Sequence, residues 1–340
     1  MKVLVTGHDG YIGARMVPLL TDAGHEVTGL DTGYYAGNHL GPAAASPAHE
    51  IKMDIRDVTP EVLAGQDAVI HLAALSNDPL GDLNSDVTYG INHRGSVALA
   101  AAAKEAGVTR FLFSSSCSLY GAGGDAPLTE TAGFNPVTPY GESKILSEQG
   151  IAPLADDRFS PTYLRNATVY GFSPQLRADL VVNNLVGYAM LTGEVLVKSD
   201  GSPWRPLLHV EDMCRAFLAI LEADRGIVHD QAFNIGSTAE NYQVRTVAEL
   251  VADAVDGSEV TFSASASPDI RDYQVDFTKL AEALSFECNW TVPKGITELM
   301  DAYERHGLTE ESFLGDRYLR IRSIRNHIEA GRLDTELRWT

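Results

Sequence analysis

A tyrosine and a lysine, Tyr140 and Lys144, stand four residues apart near the start of a predicted helix. Residues at that spacing share one helix face, so their phenol and ammonium groups lie side by side. A free tyrosine has a pKa of about 10, but a nearby positive charge favours the phenolate and makes it a better base. Ser116, at the end of a predicted strand, adds a hydroxyl for the same substrate oxygen. The three residues predict removal of a proton from an alcohol while hydride leaves for a nicotinamide.

A glycine-rich turn after the first predicted strand provides the context for that chemistry. Gly7, Gly10 and Gly13 permit a tight turn, close approach of a pyrophosphate, and a helix whose N-terminal N–H groups face it. The spacing differs by one residue from the commoner Gly-x-Gly-x-x-Gly pattern. Alone, this run is compatible with an ordinary turn, and Tyr-x-x-x-Lys with a surface pair. The predicted cofactor contacts in the turn are Gly7, Asp9, Gly10, Tyr11, Ile12 and Gly13.

The second predicted strand ends in Asp31, where a carboxylate is expected to bind the adenosine ribose hydroxyls. A carboxylate at that position would repel a 2′-phosphate, so the sequence predicts NAD as the cofactor and disfavours NADP. Asp54 and Ile55, just before a predicted helix, are expected to contact the adenine edge.

The elements that position these residues alternate between short apolar strands and helices. Predicted helices cover residues 11–23 and 95–107, and another begins near Pro139. Short apolar strands separated by helices indicate a parallel sheet covered on both faces. The predicted class is therefore α/β with a doubly wound parallel sheet, and residues 1–165 form its dinucleotide-binding domain. The predicted strands are 3–6, 26–31, 68–72, 110–114 and 162–165.

Residues 166–340 are expected to form mainly a smaller α/β substrate-binding lobe, with some interleaving of the chain. Longer loops separate predicted helices at 181–191, 210–223 and 246–255. In open α/β sheets, ligands bind beyond the carboxyl ends of the strands, so the lobe is expected to lie there. An arginine-rich tail is expected to be a solvated helix face forming ion pairs with the body; its arginines are Arg317, Arg320, Arg322, Arg325, Arg332 and Arg338.

The formal net charge of −20 argues against nucleic acid or an anionic membrane as a partner, since both attract basic surfaces. The sequence starts directly with a strand and has no apolar run of membrane-spanning length. Cys117, Cys214 and Cys288 lack the spacing of a disulfide framework or metal site. A cytoplasmic protein without a bound metal is therefore expected.

Together these motifs resemble the extended short-chain dehydrogenase/reductases, which have a Rossmann domain. Within them, the chain is similar to the nucleotide-sugar epimerases and dehydratases, such as the UDP-glucose 4-epimerases. The resemblance covers nearly the whole chain and is more specific for the superfamily than for a substrate. It is carried by residues 6–13, Asp31, Asp54, Ile55, 71–74, 92–96, 114–121, 140–144, 183–185, 204–212 and Arg271.

The resemblance implies NAD as cofactor, a nucleoside-diphosphate sugar as substrate, and roles for individual residues. Ser116 and Tyr140 would handle the proton, and Lys144 would hold the nicotinamide ribose. Asn92 would support the active-site helix. The cofactor-binding residues implied outside the turn and the adenosine side are Leu72, Ala73, Ala74, Asn92, Tyr140 and Lys144. Asn184, Arg205 and Arg271 would hold the nucleotide. The implied substrate contacts are Ser76, Ser116, Cys117, Ser118, Tyr140, Thr168, Asn184, Leu185, Arg205 and Arg271.

Two departures from the family pattern bear on the reaction. Resembling 4,6-dehydratases place an Asp-Glu pair directly after the catalytic hydroxyl residue, whereas this chain has Cys117 and Ser118. That favours epimerisation over loss of the C6 hydroxyl. Cys117 is either an acid in a C3 or C5 epimerisation or, as we favour, a small buried residue. Residues 166–168 read Asn-Ala-Thr where many relatives read Tyr-Phe-Asn, so a substrate-side contact is altered.

The first hypothesis is thus NAD-dependent C4 epimerisation of a nucleotide sugar through a 4-keto intermediate. The alternatives are a dehydratase with a rearranged acid/base pair, a 4-ketoreductase, and a non-catalytic NAD-sensing protein, which would not need Ser116, Tyr140 and Lys144. The resemblance also implies a homodimer, in which equivalent helices of two subunits pack as a four-helix bundle; here the helix after Gly95 is rich in alanine, and Ile145 and Leu146 are expected to be exposed. The alternative is that the alanines pack on the subunit's own sheet.

Overall fold

The structure, a computed structural model, describes residues 1–76, 84–123, 126–263 and 271–340. In chain order its strands are β1 (Lys2–Thr6), β2 (Glu26–Asp31), β3 (His49–Lys52), β4 (Ala68–His71), β5 (Arg110–Ser116), β6 (Ser160–Asn166), β7 (Thr168–Tyr170), β8 (Glu194–Val197), β9 (Trp204–His209), β10 (Gln231–Ile235), β11 (Asn241–Gln243) and β12 (Glu259–Phe262). Seven of them form one parallel sheet in the order β10-β6-β5-β4-β1-β2-β3.

The helices are α1 (Gly13–Asp22), α2 (Ser85–Thr88), α3 (Ser96–Glu105), α4 (Pro139–Ile151), α5 (Val181–Thr192), α6 (Val210–Glu222), α7 (Arg225–Val228), α8 (Val244–Ala254), α9 (Thr278–Leu284), α10 (Val292–Arg305), α11 (Glu310–Leu314) and α12 (Arg320–Glu329). A π-helical stretch, Tyr89–Gly95, joins α2 to α3. Short 3₁₀ turns occupy Ile55–Asp57, Cys117–Tyr120, Ala152–Leu154 and Thr238–Glu240.

The central strands are buried on both faces, which explains their continuous apolar sequences. Val3, Leu4 and Val5 of β1 have no exposed surface. Val3 and Val5 belong to the apolar cluster that includes α1 and α6, whereas Leu4 belongs to the cluster on the α3 side. Helices thus cover both faces, and the predicted doubly wound parallel sheet is confirmed.

Two strands of the sheet were not predicted, for different reasons. Only one residue of β3, Ile51, is even partly buried, so the strand lacks an apolar run. β10 is apolar, but it lies within the segment that was assigned to the second lobe. Because β10 pairs with β6, residues 231–235 belong to the main sheet. A division of the chain into two domains between residues 165 and 166 stays a prediction.

The rest of the chain forms two small sheets, β11-β9-β7 and β12-β8, with α5, α8 and α10 around a third apolar cluster. Helices α3 and α4 pack against each other. Ile145 of α4 is only 7% exposed and belongs to the subunit's own core. The expectation that Ile145 is exposed is therefore wrong; Leu146 is half-buried, and Ala98 and Ala101 of α3 are exposed.

Candidate active site

The predicted catalytic residues line one cavity of about 750 Å³, a size typical of small-ligand sites. Ser116 comes from the carboxyl end of β5, and Tyr140 and Lys144 come from the first turns of α4. The start of α4 is set locally: the Thr138 hydroxyl accepts a hydrogen bond from the Gly141 N–H, and Pro139 occupies the first turn, where no N–H is needed.

Lys144 is buried between strand β5 and Tyr140, the predicted catalytic tyrosine. Its Nζ donates to the Ser114 carbonyl at 2.6 Å and lies 5.7 Å from the centre of the Tyr140 ring. Burial lowers the pKa of Lys144 to about 7, although the Glu148 carboxylate one turn later opposes the shift. The amine therefore titrates close to neutral pH, beside the phenol whose ionisation it influences.

We expect a Lys144→Met variant to lose activity but gain stability. The folded-state pKa of about 7 is below the ordinary 10.5, so between those values the unfolded chain binds the proton more tightly. Burying Lys144 therefore costs stability at pH 7, and the cost disappears as the pH rises past the ordinary pKa. After the lost hydrogen bond to Ser114 is counted, a gain of about 2 kcal/mol at pH 7 is expected.

Thermal unfolding of nucleotide-free protein at pH 7 and pH 10 measures this difference. Lys104→Met, on the neighbouring helix α3 and half-exposed, is the matched control and should gain nothing at either pH. A Lys144→Met protein that unfolds below wild type at pH 7 would contradict the prediction.

The residues after Ser116 are turned to different sides. Ser118 lines the cavity and donates from its hydroxyl to Ser116 Oγ at 2.9 Å. Cys117 does not line it: its side chain is 1% exposed, its Sγ donates to the Arg165 carbonyl, and burial raises the pKa of the thiol. The structure therefore supports the preferred interpretation of Cys117 as a buried residue and removes it from the expected substrate contacts.

A buried ion pair joins strand β6 to helix α4, the helix that carries Tyr140 and Lys144. Arg165 of β6 and Glu148 of α4 are joined by Nη2–Oε2 at 2.7 Å and Nε–Oε1 at 3.1 Å. The Ser115 hydroxyl donates to the same carboxylate at 2.6 Å. Ser115 adjoins Ser116 on β5, and Glu148 lies one turn beyond Lys144 on α4. The Glu148 carboxylate and its two partners therefore connect the strand that carries Ser116 to the helix that carries Tyr140 and Lys144. Sequence reasoning missed it, although Glu148 shares the helix face of Lys144.

The glycine-rich turn lines a second cavity, which runs beside the first. Gly7 has a φ of +73°, and a Cβ at Gly13 would lie 2.2 Å from the Gly7 carbonyl oxygen, so both positions need glycine. This packing brings the N terminus of α1 against the cavity, with Tyr11 and Ile12 lining both cavities. The arrangement fits the pyrophosphate of a dinucleotide.

The adenosine-side residues lie at the other end of the second cavity. Asp31 accepts from the Gly33 N–H at 2.7 Å and the Asp9 N–H at 3.3 Å, and burial raises the pKa of its carboxyl. Asp54 and Ile55 line the same end, but the Asp54 carboxylate is already paired with Arg56 at 2.6 Å. Asp9 does not line the cavity; its carboxylate accepts from Gln175.

We expect an Asp31→Ala variant to bind NAD about 10 to 100 times more weakly, because a charged acceptor for the ribose hydroxyls is lost. Discrimination against NADP should also relax, since the source of repulsion disappears. Titration calorimetry with both nucleotides measures the two effects, with Asp22→Ala, an exposed residue on α1, as control. Tighter binding of NADP than of NAD by the wild type would overturn the role of Asp31.

Asn92, which was expected among the cofactor-binding residues, lines neither cavity and instead joins Leu75 to helix α4. It is fully buried, its side-chain oxygen accepts from the Leu75 N–H at 2.8 Å, and its amide donates to Leu75 and Ser143. Since Ser143 precedes Lys144 on α4, this geometry agrees with the supporting position implied by the resemblance. Leu72, Ala73 and Ala74 line the cofactor cavity beside it.

The predicted substrate contacts other than Cys117 all line the larger cavity. Asn184 also donates to the Ala178 carbonyl at 2.7 Å, and Arg205 donates to the Arg271 carbonyl. The residues brought together there, besides Ser116 and Tyr140, are Ser76, Ser118, Thr168, Asn184, Leu185, Arg205 and Arg271.

Sequence reasoning missed two arginines at the cofactor cavity, Arg177 and Arg320. Arg177 holds Asp179 through two contacts of 2.9 Å and donates to the Ser76 hydroxyl at 3.1 Å. Arg320 is 2% exposed, so the expectation of a solvated face is wrong for this residue of the tail. A lone arginine in an irregular loop or charged helix carries no sequence signal of burial.

The fold and the paired cavities define a dinucleotide-dependent enzyme that acts on a substrate hydroxyl. Comparison with known proteins identifies its family: the model of the NAD dependent epimerase/dehydratase family matches residues 3–236. The chain therefore belongs to that family. It is an NAD-dependent enzyme of the extended short-chain dehydrogenase/reductase type that acts on nucleotide sugars, and the predicted cofactor is confirmed.

Individual relatives span more than one reaction. The low-salt glycan biosynthesis protein Agl12 of Haloferax volcanii is 31% identical over 313 residues, covering 89% of this chain and 98% of that protein. A UDP-glucose 4-epimerase of Corynebacterium glutamicum is 30% identical over 265 residues, 74% of this chain and 79% of that protein. The dTDP-glucose 4,6-dehydratase DesIV of Streptomyces venezuelae, solved with NAD and TYD bound, has a TM-score of 0.80 and 26% identity, covering 92% of this chain and 100% of that one.

The described part of the chain contains no cluster of three His, Cys, Asp or Glu side chains able to hold a metal ion. It also contains no helix with the length and apolar character needed to cross a membrane.

Proposed function

We propose that this enzyme is a nucleoside-diphosphate-sugar epimerase that inverts C4. The observation that carries the proposal is the composition of the cavity around Ser116. Among the described residues lining it, Asp179 is the one carboxylate, and Arg177 holds it in a two-point ion pair. Loss of the C6 hydroxyl needs an acid and a base besides the tyrosine, whereas C4 inversion needs only the groups that move the 4-hydroxyl proton.

Tyr140 would take the proton of the sugar 4-hydroxyl, with Ser116 as hydrogen-bond partner of the same oxygen. Lys144, with an amine that titrates near neutral pH, would favour the phenolate. NAD, when bound, supplies the reversible hydride acceptor. The 4-keto sugar would turn in the cavity, and Tyr140 would return the proton once hydride has added to the other face.

The nucleotide part of the substrate would be bound by residues of the second lobe. Asn184, Arg205 and Arg271 line the larger cavity, and the two guanidinium groups suit a diphosphate. Thr168, at a position where many relatives have a larger amide, would enlarge the space beside the sugar.

Incubation with a panel of nucleotide sugars in D₂O, read by NMR, tests this proposal. A C4 epimerase should give the C4 stereoisomer without solvent deuterium at C4, because the same hydride leaves and returns, and NADH should not accumulate. A 4-keto-6-deoxy product would replace the proposal with dehydration. Stoichiometric formation of NAD⁺ from added NADH would replace it with ketoreduction, and binding without turnover of the whole panel would favour an NAD sensor.

We also propose that the enzyme is a cytoplasmic homodimer formed through α3 and α4. The exposed Ala98 and Ala101 allow close approach of a second copy, although burial of Ile145 leaves Leu146 as the main apolar contact on α4. The three cysteines are all free, as expected in a reducing compartment. Light scattering should give twice the 36.7 kDa mass of the chain, and a mass near one chain would exclude the dimer.

A further inference from the structure

The C-terminal segment, residues 316–340, wraps around the loop that follows β2. Arg317 donates to the His39 carbonyl at 3.0 Å, and the Trp339 indole N–H donates to the Thr32 carbonyl at 2.7 Å. His327 lies 3.0 Å from the Tyr34 carbonyl. Contacts are thus made with residues 32–39, the part of the loop that directly follows Asp31, the predicted ribose-binding residue.

The end of the segment is also fastened to the predicted adenine-binding turn. Arg338 pairs with Asp57 and lies 3.5 Å from Asp54, a residue that lines the cofactor cavity. Both ends of helix α12 are therefore held against the adenosine side of the site. These contacts hold α12 in an orientation in which one of its residues lines the dinucleotide cavity.

That residue is Arg320, which lines the dinucleotide cavity. Its side chain is 2% exposed and its guanidinium lies 4.0 Å from the centre of the Tyr35 ring. Nη2 donates to the Gln175 carbonyl at 3.2 Å, whereas Nη1 has no hydrogen-bond partner within the described residues. No carboxylate of the described part of the chain lies within ion-pair distance of Arg320.

The surroundings make this buried charge costly without an anion. Burial lowers the pKa of Arg320 to about 10; Tyr35, Asp179 and Asp31 oppose the shift, whereas repulsion from Arg177 adds to it, and the group is still charged at neutral pH. Asp179 is already paired with Arg177, and Asp31 accepts two backbone N–H groups. Two guanidinium groups thus line a cavity that the N terminus of α1 also lines.

We propose that Arg320 is a cofactor-binding residue, supplied by the C-terminal segment, that binds the pyrophosphate of NAD. A pyrophosphate between the glycine-rich turn and Arg320 would give Nη1 an acceptor and compensate the charge of the guanidinium. Arg177, which lines both cavities, would assist from the side of the substrate. The C-terminal segment would then contact the cofactor directly, in addition to packing against the loop after β2.

Titration calorimetry of the nucleotide-free full chain tests the proposal with ligands that divide the dinucleotide. Arg320→Met should bind ADP-ribose about 10 to 100 times more weakly than wild type, because a charge-assisted hydrogen bond is lost. Binding of adenosine, followed by ligand-observed NMR, should change less than twofold, as should binding of UDP, a probe of the substrate cavity. The matched control is Arg322→Met, on the same helix, which is exposed and pairs with Asp316.

Unchanged ADP-ribose affinity in Arg320→Met would overturn the proposal. An equal loss for adenosine would assign Arg320 to the shape of the adenosine pocket, and a loss confined to UDP would assign it to the substrate; either result also overturns it. If Arg320→Met does not fold, Arg320→Gln, which keeps a donor for Gln175, carries the same expectations. None of these readouts depends on the reaction proposed above, so failure of one does not imply failure of the other.

Discussion

A Tyr140→Phe variant should turn over its nucleotide sugar about 10² to 10⁴ times more slowly than wild type, with unchanged NAD affinity and unfolding temperature. The substitution removes the phenolic oxygen that would accept the proton and leaves the ring next to Lys144. The loss should appear in kcat, because the oxygen acts in the transition state and contributes little to cofactor binding.

Tyr89→Phe is the matched control for this experiment. Tyr89 precedes α4 in the chain and its hydroxyl donates to Glu142 of that helix, but it lines neither cavity. The control should keep wild-type turnover. A Tyr140→Phe enzyme that retains a tenth of wild-type activity would remove Tyr140 from the proton transfer.

An Arg165→Met variant should lose about 3–5 kcal/mol of unfolding free energy, since it leaves the Glu148 carboxylate buried without its cation. The side chains of Arg165 and Glu148 are 6% and 8% exposed, so water cannot replace the lost partner. Urea denaturation measures the change. Activity should fall as well, because the pair connects the strand of Ser116 to the helix of Lys144.

Two further variants distinguish the loss of the buried ion pair from the mere shortening of the Arg165 side chain. Glu148→Leu combined with Arg165→Met removes both charges and should recover much of the loss, since a buried pair is often replaceable by apolar groups. Lys104→Met breaks the half-exposed contact with Asp156, where exposures are 32% and 38%, and should cost less than about 1 kcal/mol. If Arg165→Met costs no more than Lys104→Met, the buried pair contributes no specific stabilisation.

The sequence by itself determined the sheet class, and it predicted three catalytic residues that the structure brings to one cavity. Strands such as β1 are continuous apolar runs because both faces are buried, and the glycines at positions 7 and 13 reflect local backbone geometry. Tyr140 and Lys144 are four residues apart on one helix, so their proximity follows from the helix period. Local rules of this kind need no knowledge of the rest of the chain.

Only the tertiary structure decided which charged residues are buried and what faces them. Arg165 and Glu148 come from different elements, and their pairing depends on how α4 packs on the sheet. Arg320 has the sequence context of a solvated helix, yet the anchoring of residues 316–340 turns it into the dinucleotide cavity. The physical reason is that burial of a charge depends on packing between distant segments, which leaves no periodic pattern in the sequence.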